Sequence, residues 1–376
     1  MDNRRELAEL TRELVAIPSH EDESEAGDFV EKWLREETDA EVTRDGAPRG
    51  GNVIARRGSG EPSLALVGHH DVVAPADEQV EGIEGDGDGG QYLVEEHDGR
   101  IYGRGTADMK GAVAAMMLAF RDAAPGGELV FASFVGEETG GEGSQHAIEN
   151  GFAPDYAVVG EGSTSYSEPG LTDVVVAHRG RRESRIVAEG EAAHAGEPDA
   201  GANAIYRACD AVDVLRSLDT PEVEIPEADA TLPGKVTATV IEGGETSNVV
   251  PDRCVVTVDE RTIPDGRADL DTVEEIEGVE WRVEQDWPPM RCGDEAFVEG
   301  VLAAARSVQS DTPEEPGPIL KPHATDAGWL SAAGVECVVC GPSEPGEAHT
   351  DHESVSVDVL VQCEAIYRGA AEAPLG

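Results

Sequence analysis

At 376 residues the chain is long enough for two domains. Its 78 acidic residues against 28 basic ones give a formal net charge of −50, spread along the whole length, which argues against nucleic acid or an anionic membrane as a partner. A hydrophobic share of 39%, set out in periodic segments, assigns that acidity to the surface of a packed protein and not to a disordered chain.

The first twenty residues read as an amphipathic helix over 4–17 stopped by Pro18. Nothing in them is apolar for long enough to be a signal peptide or a membrane span, so a soluble, cytoplasmic protein is expected. A second helix is expected at 28–36, strands at 52–56 and 64–68, a helix at 109–124, and strands at 129–135 and 156–159. The acidic stretch 80–90 reads as a solvated loop. This alternation predicts a largely parallel sheet with helices on both faces. Over 179–287 the pattern changes to strands at 185–187, 236–241 and 254–258, around a helix at 202–218 and another near 269–275. That is the pattern of a small α+β unit inserted into the first domain. After Pro288 the alternation resumes, with helices at 296–308 and 327–333, a strand at 335–340 and a closing helix at 357–370. Segments 1–178 and 288–376 would then share one sheet.

Six scattered cysteines (Cys209, Cys254, Cys292, Cys337, Cys340, Cys363) suggest reduced core thiols, and the single C-x-x-C at Cys337 and Cys340 lies inside an apolar run and reads as structural. Lysine occurs only at Lys32, Lys110, Lys235 and Lys321. So self-repelling a surface is relieved where salt shortens the screening length to about 3 Å, as in the cytoplasm of a salt-accumulating organism.

Chemistry is concentrated where apolar strands end. Gly68-His69-His70-Asp71 closes the first such run, at the sheet edge where open α/β folds bind ligands. His69 can hold a metal while Asp71, two residues on, fixes its ring through the other nitrogen; His70 points oppositely and reads as structural. Asp108 stands in the glycine-flanked turn Gly103-Arg104-Gly105-Thr106-Ala107-Asp108-Met109-Lys110-Gly111 before a helix, its carboxylate free to bridge two cations. Glu137 and Glu138 follow the strand at 129–135; adjacent carboxylates project differently, so one can bind metal while the other works as a base. Glu161 follows the strand at 156–159, and His349 and His352 follow the last strand, where spacing alone does not choose between them. Two imidazoles and four carboxylates make a mixed N/O set suited to two zinc ions, with cobalt or manganese as substitutes. Such a pair polarises a carbonyl and lowers the pKa of a shared water.

These residues sit in an ordered series of motifs, G-H-x-D-V-V, G-R-G-x-x-D-M-K-G, E-E-T-G-G, A-A-H-A-G-x-P, S-N-V-V-P-D with D-x-R, T-D-A and A-H-x-x-x-E, that resembles the M20 family of metallopeptidases and deacylases over almost the full length. The resemblance implies a di-zinc α/β catalytic domain with an inserted lid and dimerisation domain whose closure excludes water. It implies that His69 and Glu161 hold one zinc, Glu138 and His349 the other, that Asp108 bridges them, that Asp71 orients His69, and that Glu137 is the general base. It also chooses His349 over His352, which stands where relatives usually carry Asn or Asp. His194 looks like the family histidine that reaches the scissile carbonyl as an oxyanion donor, from the opposite subunit in dimeric members. Asn248 and Arg261 look like the pair that grips the substrate carboxylate, with Thr325 and Asp326 near the same pocket. The cluster Arg179-Gly180-Arg181-Arg182 offers either recognition of a second carboxylate or surface ion pairing. The implied activity is hydrolysis of the amide bond of an N-acyl amino acid, of the acetylornithine deacetylase or succinyl-diaminopimelate desuccinylase type, by a homodimer. The alternative is a metallo-exopeptidase acting on short peptides at the same metal centre.

Overall fold

The apolar runs of the first and last thirds of the chain become one sheet. In the computed structural model, which describes residues 3–81 and 91–374, that sheet has nine strands: β1 (Glu41–Arg44), β2 (Val53–Arg57), β3 (Ser63–His69), β4 (Glu128–Phe134), β5 (Tyr156–Val159), β6 (Val174–His178), β7 (Met290–Arg291), β8 (Pro318–Lys321) and β9 (Glu336–Val339). Their spatial order is β1-β2-β4-β3-β5-β9-β6-β7, with β8 also on β6. The four middle strands, β4-β3-β5-β9, are mutually parallel, while β1, β2 and β6 join antiparallel.

The middle strands are buried from end to end, Leu64 to His69 in β3 and Leu129 to Phe134 in β4. Strands covered on both faces carry continuous rather than alternating apolar residues. Each fully buried Leu or Val there contributes about 1.5–3 kcal/mol. The cover comes from α1 (Asn3–Val15), α2 (Ser24–Glu37), α3 (Gly111–Asp122), α4 (Glu142–Glu149), α5 (Glu295–Val308), α6 (Asp326–Ala332) and α7 (Val357–Glu372). Helix α3 has no polar stripe and is buried at every position from Gly111 to Phe120, as expected of a helix enclosed on all sides. It packs on β3 and β4 and against α1 and α7.

The described chain divides into two units, one of Met1–Ala177, Arg291–Lys321 and Thr325–Gly376, the other of His178–Met290 with Pro322–Ala324. The second is built on a four-stranded antiparallel sheet in the order Lys235–Gly243, Arg253–Arg261, Arg181–Glu189, Val279–Trp287. Burial alternates along Arg253–Arg261, so one face packs on the helix Ala204–Ser217. The Asn203 side chain caps that helix by accepting from the Ile205 and Tyr206 amides. Lys235–Gly243 forms an edge and is exposed along most of its length.

Several expectations change. The helix expected from residue 28 begins at Ser24. The helix expected near 269–275 is a short 3-10 turn, Leu270–Glu275. Of the acidic stretch expected to be a loop, Val80–Glu81 pairs as a strand with Gln91–Tyr92, and 82–90 lie outside the described residues. Cys209 is exposed, not a core thiol; the other five cysteines are buried and unpaired. Among the described residues, no helix is long and apolar enough to cross a membrane.

Candidate metal centre

Because β4, β3, β5 and β9 are parallel neighbours, their C-terminal ends share one sheet edge. His69 is the last residue of β3, Glu137 and Glu138 follow β4, Glu161 follows β5, and His349 lies in the loop after β9. Asp108 enters from the turn before α3, where Gly105 (φ 88°) leaves no room for a Cβ against Val72 and the Asp108–Met109 peptide is cis.

These side chains meet in two groups, His69 with Glu137 and Glu161, and Asp108 with Glu138 and His349. Asp108 links them: Oδ1 lies 3.2 Å from His69 Nε2, and Oδ2 lies 3.2 Å from His349 Nε2. His69 Nε2 is also 3.4 Å from Glu161 Oε1 and 3.9 Å from Glu137 Oε2. His349 Nε2 is 3.0 Å from Glu138 Oε1. His349 achieves this from a left-handed backbone conformation (φ 65°), uncommon for a residue with a Cβ and frequent at functional sites.

The donor set fits a pair of cations. Zinc bonds of about 2.0–2.2 Å at tetrahedral angles place neighbouring ligand atoms roughly 3.4 Å apart, close to the separations of 3.0–3.4 Å seen from the two imidazoles to Asp108, Glu138 and Glu161. Neutral imidazole with carboxylate is the ligand chemistry of zinc and its first-row neighbours.

Buried carboxylates hold the site in shape. Asp71 stands 3.3 Å from His69 Nδ1 and accepts the Glu137 amide on Oδ1 (3.1 Å) and the Glu138 amide on Oδ2 (2.9 Å). Glu23 accepts the Gly136 amide at 3.0 Å. Glu353 accepts the Gly105, Ala107 and Asp108 amides at 3.0, 2.9 and 3.1 Å, and Arg104 at 2.6 Å. His70 turns away to Ser133 Oγ at 2.8 Å; burial lowers its pKa to about 3, so it is neutral. Glu23 and the bonding of Glu353 are not legible as site features in the sequence, since their partners, backbone amides and for Glu353 also the Arg104 guanidinium, are remote in the chain.

Burial, with the charges of Glu161, Asp326 and Glu138 and against that of His69, lifts Glu137 well above the ordinary carboxylate range. Burial and Asp108 push Glu138 up to about 7. Hydrogen bonds to Asp108 and Glu138 raise His349 to about 10. His69 is raised well above its ordinary value: burial opposes this, but Asp71, Asp108 and Glu161 outweigh it.

The remaining candidates belong to neither of the two groups. Thr325 is buried and caps α6, its hydroxyl accepting the Ala327 amide at 3.2 Å; the neighbouring Asp326 takes Ser144 Oγ at 2.5 Å. His352 faces a cavity of about 310 Å³ shared with Glu78, His97 and Tyr102, and is absent from both metal-ligating groups. In the second unit, His194 and Asn248 are neighbours: His194 pairs with Val249 across a two-stranded ribbon and the Ala195 amide donates to the Asn248 carbonyl at 2.9 Å. Arg261 is ion-paired with Asp259 at 2.7 Å. Arg181 and Arg182 are taken up by Asp259, Glu183 and Glu260, whereas the guanidinium of Arg179 donates to the Pro233 carbonyl. Burial and the adjacent Arg261 charge lower the Arg179 pKa.

The chain matches peptidase family M20/M25/M40 over residues 65–373. It is 26% identical to the N-formyl-4-amino-5-aminomethyl-2-methylpyrimidine deformylase of Bacillus subtilis, over 96% of this chain and 92% of that one. It is 29% identical to an acetylornithine deacetylase of Myxococcus xanthus, over 84% of this chain and 82% of that one. Among solved structures, the aminopeptidase PepT from Bacillus cereus superposes with a TM-score of 0.77 at 21% identity, covering 98% of this chain and 99% of that one. The ordered motifs, the α/β fold and this match lead to one assignment: the chain belongs to peptidase family M20/M25/M40 and is a metal-dependent hydrolase of that family.

Proposed function

We propose that the protein hydrolyses the amide bond of N-acyl amino acids, using two cations held by His69, Asp108, Glu161, Glu138 and His349. The observation that carries this is the Asp108 carboxylate, which presents one oxygen to each imidazole and so suits a shared ligand. When bound, the ions, zinc with cobalt or manganese as substitutes, supply Lewis acidity for the carbonyl and for an attacking water. The two relatives named above are a deformylase and a deacetylase, both removing a small acyl group by name, which supports a deacylase over a peptidase.

The protein's own groups divide the remaining work. Glu137, buried beside His69, takes a proton from water and returns it to the departing amine. Asp71 holds both the His69 ring and the Glu137–Glu138 turn, so the base and the ligands share one support. His194 donates to the carbonyl oxygen as charge develops there. Arg261, with Asn248 and Thr325, binds the amino-acid carboxylate; Arg179 beside Arg261 offers a second cation for acyl groups that carry a carboxylate of their own.

The same proposal includes a homodimer formed through the inserted unit, whose edge strand Lys235–Gly243 is unpaired on one side among the described residues and exposes Val240 and Ile241. It also includes a cytoplasmic setting at high salt, suggested by the charge of −50, and a place in amino-acid biosynthesis. The test is hydrolysis of N-acetyl-methionine, N-acetylornithine, succinyl-diaminopimelate and a dipeptide in molar KCl, with metal content measured alongside. Release of free amino acid from an acylated substrate supports the proposal; a preference for the dipeptide replaces it with an exopeptidase.

A further inference from the structure

We propose that Lys321 is a positioning residue that confines Glu161 to one metal-facing oxygen and, by its fixed charge, weakens the hold on the cation that His69 and Glu161 share. This rests on the assignment of Glu161 as a ligand made above. Lys321 ends β8 and is 4% exposed. Its ammonium donates to the Gly162 carbonyl at 2.9 Å and stands 3.4 Å from Glu161 Oε2, while the other oxygen, Oε1, faces His69 Nε2 at 3.4 Å. The two oxygens of one carboxylate are thereby divided between a lysine and the metal side. The Tyr166 ring, 5.9 Å from Nζ, closes around the ammonium, and Gly162 packs so tightly on Ser343 that a Cβ would come within 2.7 Å of its carbonyl oxygen. Glu161 is thus held at its side chain, and the residue that follows it is packed without slack.

Composition points the same way. In a chain with four lysines, where arginine supplies almost all other positive charge, Lys110 and Lys321 are both buried. A lysine ammonium is a compact charge that fits where a planar guanidinium does not.

Two effects of removing the charge have one sign. A cation near a metal opposes its binding by Coulomb repulsion, strongly so where water is excluded. Without Lys321, Glu161 in the metal-free protein is a largely enclosed carboxylate with less counter-charge, which makes the metal a more valuable partner. Both predict tighter binding at one of two steps.

The experiment is a Co2+ titration of the metal-stripped full-length protein by calorimetry and visible absorption, in wild type, K321M, K321Q and E161Q. In K321M one of two binding steps should tighten by roughly 10- to 100-fold, with a changed Co2+ spectrum because Glu161 can now use both oxygens, and the other step should stay within about threefold. K321Q, which removes the charge and keeps a hydrogen-bond donor on a chain one atom shorter, should shift the same way and serves if K321M does not fold. Unchanged or weakened binding in the folded variants, while E161Q loses one ion, overturns the role of Lys321 alone. Two intact steps in E161Q overturn the ligand assignment and the role of Lys321 together.

Discussion

Replacing Glu353 by alanine tests whether the Asp108 turn is held from outside. One carboxylate there accepts four hydrogen bonds, from Arg104 Nη1 at 2.6 Å and from the Gly105, Ala107 and Asp108 amides at 2.9–3.1 Å. Arg104 is 3% exposed and Glu353 1%, so water does not stand in readily. Leaving a buried guanidinium without its partner costs about 3–5 kcal/mol. Each buried amide without an acceptor adds about 1–3 kcal/mol, less where water enters the space left behind. The low ends of these ranges already total about 6 kcal/mol, comparable with the whole stability of many domains. Glu353→Gln keeps one carbonyl oxygen for the amides and loses the charge, so about 2–3 kcal/mol is expected. Denaturant unfolding followed by tryptophan fluorescence in molar KCl measures both. The same substitution frees the Asp108 backbone, so metal affinity should fall by about 10- to 100-fold. If Glu353→Ala unfolds within about 1 kcal/mol of wild type and keeps its metal, the turn is organised by something else.

Glu137→Gln should keep two metal ions and lower kcat by about 10²- to 10⁴-fold; metal analysis with steady-state rates checks it, and wild-type turnover would remove Glu137 as the base. Glu23 is pushed up to about 8 from its ordinary 4.5 by burial and by Asp71. A carboxyl raised on folding contributes stability below its unfolded pKa and loses it as pH rises through the folded one, so the window runs from about 4.5 to about 8. Glu23→Gln keeps an acceptor for the Gly136 amide, and its stability relative to wild type should rise across that window by a few kcal/mol, on the order of 1.4 per pKa unit; a pH-independent difference in denaturant midpoints would contradict this. Lowering salt from 1 M to 0.1 M lengthens the screening distance from about 3 to about 10 Å and should lower the melting temperature of a chain with a net charge of −50; an unchanged Tm in scanning calorimetry would leave the high-salt setting without support.

The centre of the fold is legible because burial on both faces leaves nearly continuous apolar runs, as at Leu64–Val67 and at Leu129–Val135, where only Ser133 is polar, each followed by glycine and then by histidine or acid. The strand Val279–Trp287 escapes the same rule: only its end residues Val279 and Trp287 are buried, and between them lie mostly charged or exposed side chains. No helix separates β6 from the strand that follows it, so the alternation that locates β3 to β5 has nothing to act on there. At the site, the motifs place the candidate ligands but not their supports. Glu23 reaches Gly136 across 113 residues and Lys321 reaches Glu161 across 160, and neither distance leaves a periodic trace. What the sequence does offer for Lys321 is rarity, since a lysine is conspicuous where arginine is the rule.

Between β6 and β7 more than a hundred residues leave the sheet and come back to the adjoining strand, where the Cys292 amide donates to the Val176 carbonyl at 2.9 Å. Exit and return are thus side by side, the arrangement in which whole modules can be exchanged without disturbing their host. None of the strand ends that carry His69, Glu137, Glu138 or Glu161 lies within that excursion. A scaffold wired this way can acquire a different excursion, and with it different substrates, while the strand ends that carry the candidate metal ligands stay as they are.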